Sequence, residues 1–223
     1  MDAVIKVGGS LAADSTALTE LCKTLADLAE KYRLLLVPGG GEFADAVREV
    51  DKRYSLSSVA AHKMAILGMD QYGLLLSDII PNSQPVQNLD EAAEVSQLRR
   101  VPVLLPSLLI FREAGLEASW DFTSDSIAAY VACRLGTRRL VLVTDVDGVF
   151  TRDPKAHSDA VFLKEVRAEE LLKLESRTSV DRYLPRMLLQ MSMDCFVVNG
   201  IYPERIRLLL AGHETRCTRI VAK

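Results

Sequence analysis

The stretch Val4-Ile5-Lys6-Val7-Gly8-Gly9-Ser10 decides how this chain reads. Val4, Ile5 and Val7 are β-branched, and a short apolar run of this kind suits a buried strand. The run ends in two glycines, where the backbone turns sharply and admits a ligand at close range. Ser15 or Thr16 is placed to cap a following helix. Strand, glycine turn and helix together aim backbone N–H groups at an anion. Lys6 sits just upstream of the turn and can reach the same anion. A plain βα turn with a surface lysine carries the same local signature, so the choice falls to the rest of the chain.

Leu18, Leu21, Cys22, Leu25, Leu28 and Ala29 recur at helical spacing, ending near Tyr32. Leu34 to Val37 is a second apolar run. It ends in Pro38-Gly39-Gly40-Gly41, and 42–53 reads as helix. Two strand–glycine–helix units in succession predict a parallel sheet with its ligand at the carboxyl ends of the strands. Residues 55–77 read as a long apolar helix, with a break expected near Gly68 or Gly73. Then come a loop over 81–85, a short strand at Val86-Gln87-Asn88, and a helix capped by Asp90 and running to Leu98. Pro102 and Pro106 bracket a brief strand, and the region from there to Gly115 is irregular. A second half begins near Trp120, with a helix over 126–135 and a strand over 140–144 that ends in Asp145-Val146-Asp147-Gly148. A polar loop over 151–159, helices over 168–174 and 184–193, and a strand over 195–198 ending in Asn199-Gly200 follow. Pro203 opens a helix to Leu210, and 218–222 can form a last strand. No composition break marks a linker. The expectation is one domain over 1–223, with lobes of 1–118 and 119–223 sharing a sheet.

Apolar residues make up 49% of the chain, enough for a large core. The net charge of −3 leaves no basic footprint and speaks against nucleic acid. No apolar run approaches the roughly 18 residues of a membrane span, and the first strand starts too early for a signal peptide. Cys22, Cys133, Cys195 and Cys217 are scattered, which fits reduced thiols in a cytoplasm. The histidines stand alone and no metal ligand set is expected.

Four strand ends carry glycine or small polar residues: Gly8-Gly9-Ser10, Gly39-Gly40-Gly41, Asp145 to Gly148, and Asn199-Gly200. Several such turns point to a phosphate-rich ligand held by backbone amides. No G-x-x-x-x-G-K-[ST] and no G-x-G-x-x-G occurs, so P-loop and dinucleotide readings are poor. In Asp145-Val146-Asp147-Gly148 the glycine comes too early for a calcium loop.

From end to end the chain resembles the amino acid kinase superfamily. The matching pieces are Lys6 to Ser10, Pro38 to Gly41, Thr123-Ser124-Asp125-Ser126-Ile127-Ala128-Ala129, Thr144-Asp145-Val146-Asp147-Gly148-Val149-Phe150, and Val198-Asn199-Gly200 with Pro203. The resemblance implies an α/β fold, a three-layer α/β/α sandwich with an open, mainly parallel central sheet. It implies an acceptor in the N-terminal lobe, ATP and Mg2+ in the C-terminal lobe, and a γ-phosphate between the first two glycine turns. Lys6 would neutralise the transferring phosphoryl group. Gly8, Gly9, Ser10, Gly39, Gly40 and Gly41 would hold phosphate. Asp125 would organise the cationic side chains, although an acid there also suits a helix N-terminus. Thr144, Asp145, Val146, Gly148, Val149 and Phe150, then Asp153, Pro154 and Lys155, would form the nucleotide site; Asp153 and Lys155 equally suit a solvated loop. Family members often carry a second lysine where this chain has Tyr183-Leu184-Pro185-Arg186. Arg186 would keep that charge as a planar fork; Arg182 or neither are the alternatives. The resemblance also implies a homo-oligomer, with the long helix over 55–77 as an interface.

The acceptor is read from finer likeness. The histidine that isopentenyl phosphate kinases place after the triple glycine is replaced by Glu42-Phe43-Ala44-Asp45. The aspartokinase opening is absent. His62 to Gly73, Ser119 to Asp125 and Asp181 to Pro185 resemble the aminomethylfuran-methanol phosphate kinases of methanofuran biosynthesis, which convert a phosphate monoester to a diphosphate. On that reading Glu42 or Asp45 would pair with a substrate ammonium group. Lys63 or Arg53 would neutralise the acceptor phosphate, and His62, Trp120 and Thr123 would line the pocket. Exposed helix positions and a core tryptophan are the bland alternatives. A uridylate kinase or another small-molecule kinase competes with this reading. So does an ATP-dependent molybdate or tungstate storage protein, or a regulatory pseudo-kinase.

Overall fold

The computed structural model describes residues 1–113, 119–137, 139–173 and 179–222. Gly115, the expected helix end at Leu174 and the lobe boundary at 118 lie outside them. In chain order the first half comprises β1 (Ala3–Val7), α1 (Ser15–Ala29), β2 (Leu34–Pro38), α2 (Gly41–Tyr54), α3 (Ser58–Ile79), β3 (Ser83–Val86), α4 (Leu89–Gln97), β4 (Val101–Leu104) and α5 (Ser107–Arg112). The second half comprises α6 (Ser124–Arg134), β5 (Leu140–Thr144), β6 (Val149–Phe150), β7 (Phe162–Leu163), β8 (Glu165–Arg167), α7 (Ala168–Leu171), α8 (Leu184–Met191), β9 (Cys195–Asn199), α9 (Glu204–Leu210) and β10 (Cys217–Val221).

Eight strands form one sheet in the order β3-β4-β2-β1-β5-β9-β10-β8. Every pairing is parallel except β9 with β10. Strands β2, β1, β5 and β9 are therefore adjacent and point the same way. Their carboxyl ends are the four glycine or small-polar turns of the sequence, brought to one edge of the sheet. That edge lies where the strand order reverses about β1, the usual place for a ligand crevice in an open α/β sheet.

Alternation along β1 decides where Lys6 goes. Ile5 and Val7 face the core packed under α1 and α9. Val4 faces the opposite core, built from α4, α6 and α8, and the two-residue period puts Lys6 on that same face. Apolar cores on both sides of a mainly parallel sheet make the α/β/α sandwich.

Local details differ from expectation in physically readable ways. The cap of α1 is Asp14, whose carboxylate accepts from the Thr16 and Ala17 amides at 3.0 Å each. A short 3-10 turn over Gly9–Ala13 moves the helix start away from Gly9. Asn88, not Asp90, caps α4. Helix α3 runs unbroken through Gly68 and Gly73. A Cβ on Gly68 would lie 3.0 Å from the Ala44 nitrogen of α2, so this glycine allows close helix packing and not a break. The strand expected at 86–88 is centred earlier, at Ser83–Val86. It is an edge strand of the sheet, where Pro85 is tolerated. The small β6–β7 hairpin and β8 had no clear period-2 signal.

Candidate active site

The two glycine loops touch. A Cβ on Gly9 would fall 2.1 Å from the Gly41 nitrogen, so backbone packs on backbone there. Gly41 has φ +54°, a left-handed conformation that favours glycine. Tyr72 of α3, fully buried, donates from its hydroxyl to the Gly8 carbonyl at 3.3 Å and fixes the first loop from below. Two of the expected phosphate-holding amides are already paired. Gly8 N–H donates to Val143 O and Gly39 N–H to Val7 O, both at 2.8 Å. Their amides extend the sheet; Gly8, Gly9, Gly40 and Gly41 line the open space, and Gly39 does not.

That space is a cavity of about 700 Å³. Lys6, Gly8, Gly9, Ser10, Gly40 and Gly41 line one side, and Glu42, Asp45 and Arg48 of α2 another. His62, Ile66 and Met69 of α3 and the segment from Ser119 to Asp125 close it, with Thr144 and Ser179 to Arg182. The N-terminal ends of α2 and α6 open towards it; α2 has no side-chain cap at Gly40, whereas the first turn of α6 is held by Asp181, whose carboxylate accepts from Ser126 N at 2.9 Å. Uncapped helix N-termini attract anions.

Inside, Lys6 Nζ lies 2.8 Å from Asp125 Oδ1, with both side chains almost fully buried. The contact is a close ion pair without aligned hydrogen-bond geometry at Oδ1. Asp125 Oδ2 accepts from the Asp181 N–H at 3.0 Å. Taking one partner from such a pair strands the other charge, at a cost of about 3–5 kcal/mol.

A second cavity of about 270 Å³ adjoins the first, sharing Thr144 and Ser179. Asp145, Val146, Phe150, Arg152, Asp153, Pro154 and Lys155 complete its lining. Gly148 and Val149 stand behind this wall. Gly148 turns the chain at φ +153°, and Val149 is buried with its N–H donating to Thr218 Oγ1 at 2.8 Å. Asp145 joins the cavities. It accepts from Ser10 Oγ at 3.0 Å and pairs with Lys155. Burial pushes its carboxyl up, but the hydrogen bonds from Lys155 and Ser10 outweigh that and hold it below the usual range.

Several expected side chains are placed elsewhere or are already engaged. Lys63 is exposed and sits over the Phe111 ring, outside the cavity. Arg53 is exposed and does not line it. Arg186 lies on the exposed face of α8 and also falls outside the lining, whereas Arg182 is part of it. The Thr123 N–H and hydroxyl are both taken by Asp181. Trp120 walls the cavity; its Nε1 donates to Asp51 Oδ2 at 3.1 Å, and the Arg48 guanidinium lies 4.7 Å from its ring centroid. Arg48 in turn pairs with Asp45 at 2.6 Å. Burial lowers the His62 imidazole below its usual range, against a hydrogen bond to the Ser119 backbone, and favours the neutral ring. Sequence reading missed Arg48, Tyr72 and Asp181, all of which reach the site by tertiary packing.

The family model for the amino acid kinase family matches residues 1–199. The chain belongs to the amino acid kinase family. It is 34% identical to a [5-(aminomethyl)furan-3-yl]methyl phosphate kinase of Methanocaldococcus jannaschii, across 98% of this chain and 97% of that one. It is 26% identical to a uridylate kinase of Archaeoglobus fulgidus, across 95% and 96%. The solved uridylate kinase of Archaeoglobus fulgidus superposes with a TM-score of 0.77 at 24% identity, covering 99% of this chain and all of that one. The UMP kinase of Ureaplasma parvum superposes with a TM-score of 0.74 at 18% identity. The chain is thus a kinase of this family, with its central sheet and flanking helices.

Proposed function

We propose that the chain transfers the γ-phosphoryl group of ATP to a phosphate monoester, and that the acceptor is [5-(aminomethyl)furan-3-yl]methyl phosphate. An acceptor phosphate oxygen attacks the γ-phosphorus, the bond to ADP breaks, and a diphosphate is released. The relative at 34% identity supports this acceptor. The observation that carries the reading is the buried Lys6–Asp125 pair beside the touching glycine loops.

Phosphoryl transfer needs positioning and charge neutralisation more than covalent help. ATP lies in the smaller cavity, against Thr144 to Lys155. Its γ-phosphate crosses at Thr144 into the larger one, beside Gly9, Gly40 and Gly41. Lys6 meets the developing charge, and Asp125 keeps its ammonium group aimed there. Arg182 is a further cation of the site. Among the described residues no three His, Cys, Asp or Glu side chains cluster as a metal cage. The donor set fits a Mg2+ ion carried mainly by phosphate oxygens, with Asp145, in the wall of the smaller cavity, as a carboxylate able to meet it. Bound there, the ion would neutralise phosphate charge.

The acceptor occupies the larger cavity, mainly against residues between Lys6 and Met69, with a wall from Ser119 to Asp125. Glu42 and Asp45 at its rim suit an ammonium group. Arg48, over the Trp120 ring, offers a cation for the phosphate. Helix α3 carries exposed Val59, Leu67 and Leu74, a surface suited to self-assembly, which a mass measurement in solution tests.

An ADP-release assay with a panel of phosphate monoesters tests the proposal. The furan phosphate should give steady ADP formation, and UMP and isopentenyl phosphate little. Turnover of UMP in preference would favour the uridylate kinase reading, which the 26% relative supports. ATP binding without acceptor-dependent turnover would favour storage or regulation.

A further inference from the structure

We infer that Asp181 is a positioning residue for phosphoryl transfer, acting through Asp125. The inference rests on Lys6 and Asp125 being the transfer pair. Asp181 lies between Val180 and Arg182 in the cavity wall, and its two carboxylate oxygens accept five hydrogen bonds. Oδ2 accepts from Thr123 N at 3.1 Å, Thr123 Oγ1 at 3.0 Å and Ser126 N at 2.9 Å. Oδ1 accepts from Ser126 Oγ at 2.6 Å and Leu184 N at 2.8 Å.

These donors belong to the first turns of α6 and α8. A capping side chain ordinarily serves one helix; this carboxylate ties two together. The two residues it grips on α6, Thr123 and Ser126, bracket Asp125. Its own N–H then donates to Asp125 Oδ2 at 3.0 Å, leaving Oδ1 turned to Lys6. A displacement of Asp181 therefore carries the first turn of α6 with it and turns the Asp125 carboxylate away from the ammonium group.

The charge is the second observation. A carboxylate beside Asp125 is unfavourable: burial, then the Asp125 charge, push the Asp181 carboxyl up, while the hydrogen bonds from Ser126 and Leu184 pull it down. A neutral serine or asparagine could cap a helix without meeting that repulsion. What such a residue lacks is a second oxygen able to accept from both helices at once.

Asp181→Asn tests this. It keeps the shape and replaces one acceptor oxygen by an amide NH2 facing donors. The kcat should fall about tenfold to a hundredfold, the scale of a small misplacement of catalytic groups. KM for ATP should stay within about twofold, because Asp181 lines only the larger cavity. The thermal unfolding curve must show a fully folded protein at the assay temperature. A kcat within about twofold of the parent, or a loss fully accounted for by an unfolded fraction, would overturn the inference. Should the variant fail to fold, Ser126→Ala removes only the 2.6 Å bond. It should lower kcat by about twofold to fivefold at unchanged KM, the scale of one hydrogen bond, and an unchanged kcat would again overturn the inference. Lys6→Met is assayed alongside. If it keeps parental turnover, the transfer-pair reading fails. If it is inactive while Asp181→Asn and Ser126→Ala turn over at the parental rate, only the role of Asp181 fails.

Discussion

Gly9 is packed against Gly41 so closely that no side chain fits between them. A Cβ on Gly9 would lie 2.1 Å from the Gly41 nitrogen and 2.3 Å from its Cα. Both obstacles are backbone, so neither can swing aside. Gly9→Ala should force the loops apart and cost roughly 1–3 kcal/mol of stability, as overpacking does. Because the γ-phosphate is read to sit beside this contact, kcat should fall by more than the loss of folded protein explains. Urea denaturation together with steady-state kinetics checks both parts.

Arg182 and Arg186 carry opposite expectations. Arg182 lines the larger cavity and Arg186 lies on the exposed face of α8. Arg182→Ala should reduce kcat/KM by about tenfold or more, the scale of a lost hydrogen bond to a charged group. Arg186→Ala should change it by no more than about threefold. Kinetics of the pair, with ATP and acceptor varied in turn, would expose a reversed order.

Much of this could be read from the chain before its structure. The strand ends at Gly8, Gly39, Asp145 and Gly200 were visible because apolar runs stop there at glycine or small polar residues. Their meeting at one sheet edge follows from parallel pairing. Lys6 was visible as the one charge in a buried strand. Asp181 opens one of the stretches of family likeness, but its role was not legible, because its five donors come from residues distant in sequence or from the next helix. Arg48 reads like any other helix-surface arginine until Trp120 is folded over it. Lys63 and Arg186 fall outside the cavity lining, because charge alone does not say which helix face points inward. Gly68 and Gly73 suggested breaks in α3, since packing demands on glycine leave the same trace as flexibility.

Trp120 offers a direct readout of the acceptor. It is the single tryptophan of the chain and lines the larger cavity only. Acceptor binding should change its emission, and ADP in the adjoining cavity should change it far less. Fluorescence titration with each ligand alone measures this. An equal response to both would place the acceptor elsewhere.

Stability should fall on acidification through Asp145 and Asp147. For Asp147, burial pushes the carboxyl up, but hydrogen bonds from Arg205 and Asn199 and the Arg205 charge hold it below the ordinary 3.8. Asp145 is lowered in the same sense. A lowered carboxyl takes its proton in the unfolded chain first as the pH drops. Its contribution is therefore present above the unfolded value of 3.8 and is lost as the pH falls through the folded one. Urea midpoints measured from neutral pH down to the carboxylate range should show a steep acid fall, less steep in Asp147→Asn.

The most direct measurement is the turnover of Lys6→Met, with Lys6→Met/Asp125→Asn beside it so that no buried charge is left stranded. Both proteins are first shown to be folded by circular dichroism and to bind ATP. Acceptor-dependent ADP formation should drop by about a hundredfold or more in each, the scale of removing a preorganised electrostatic group. A folded Lys6→Met enzyme that forms ADP at the parental rate would contradict the account.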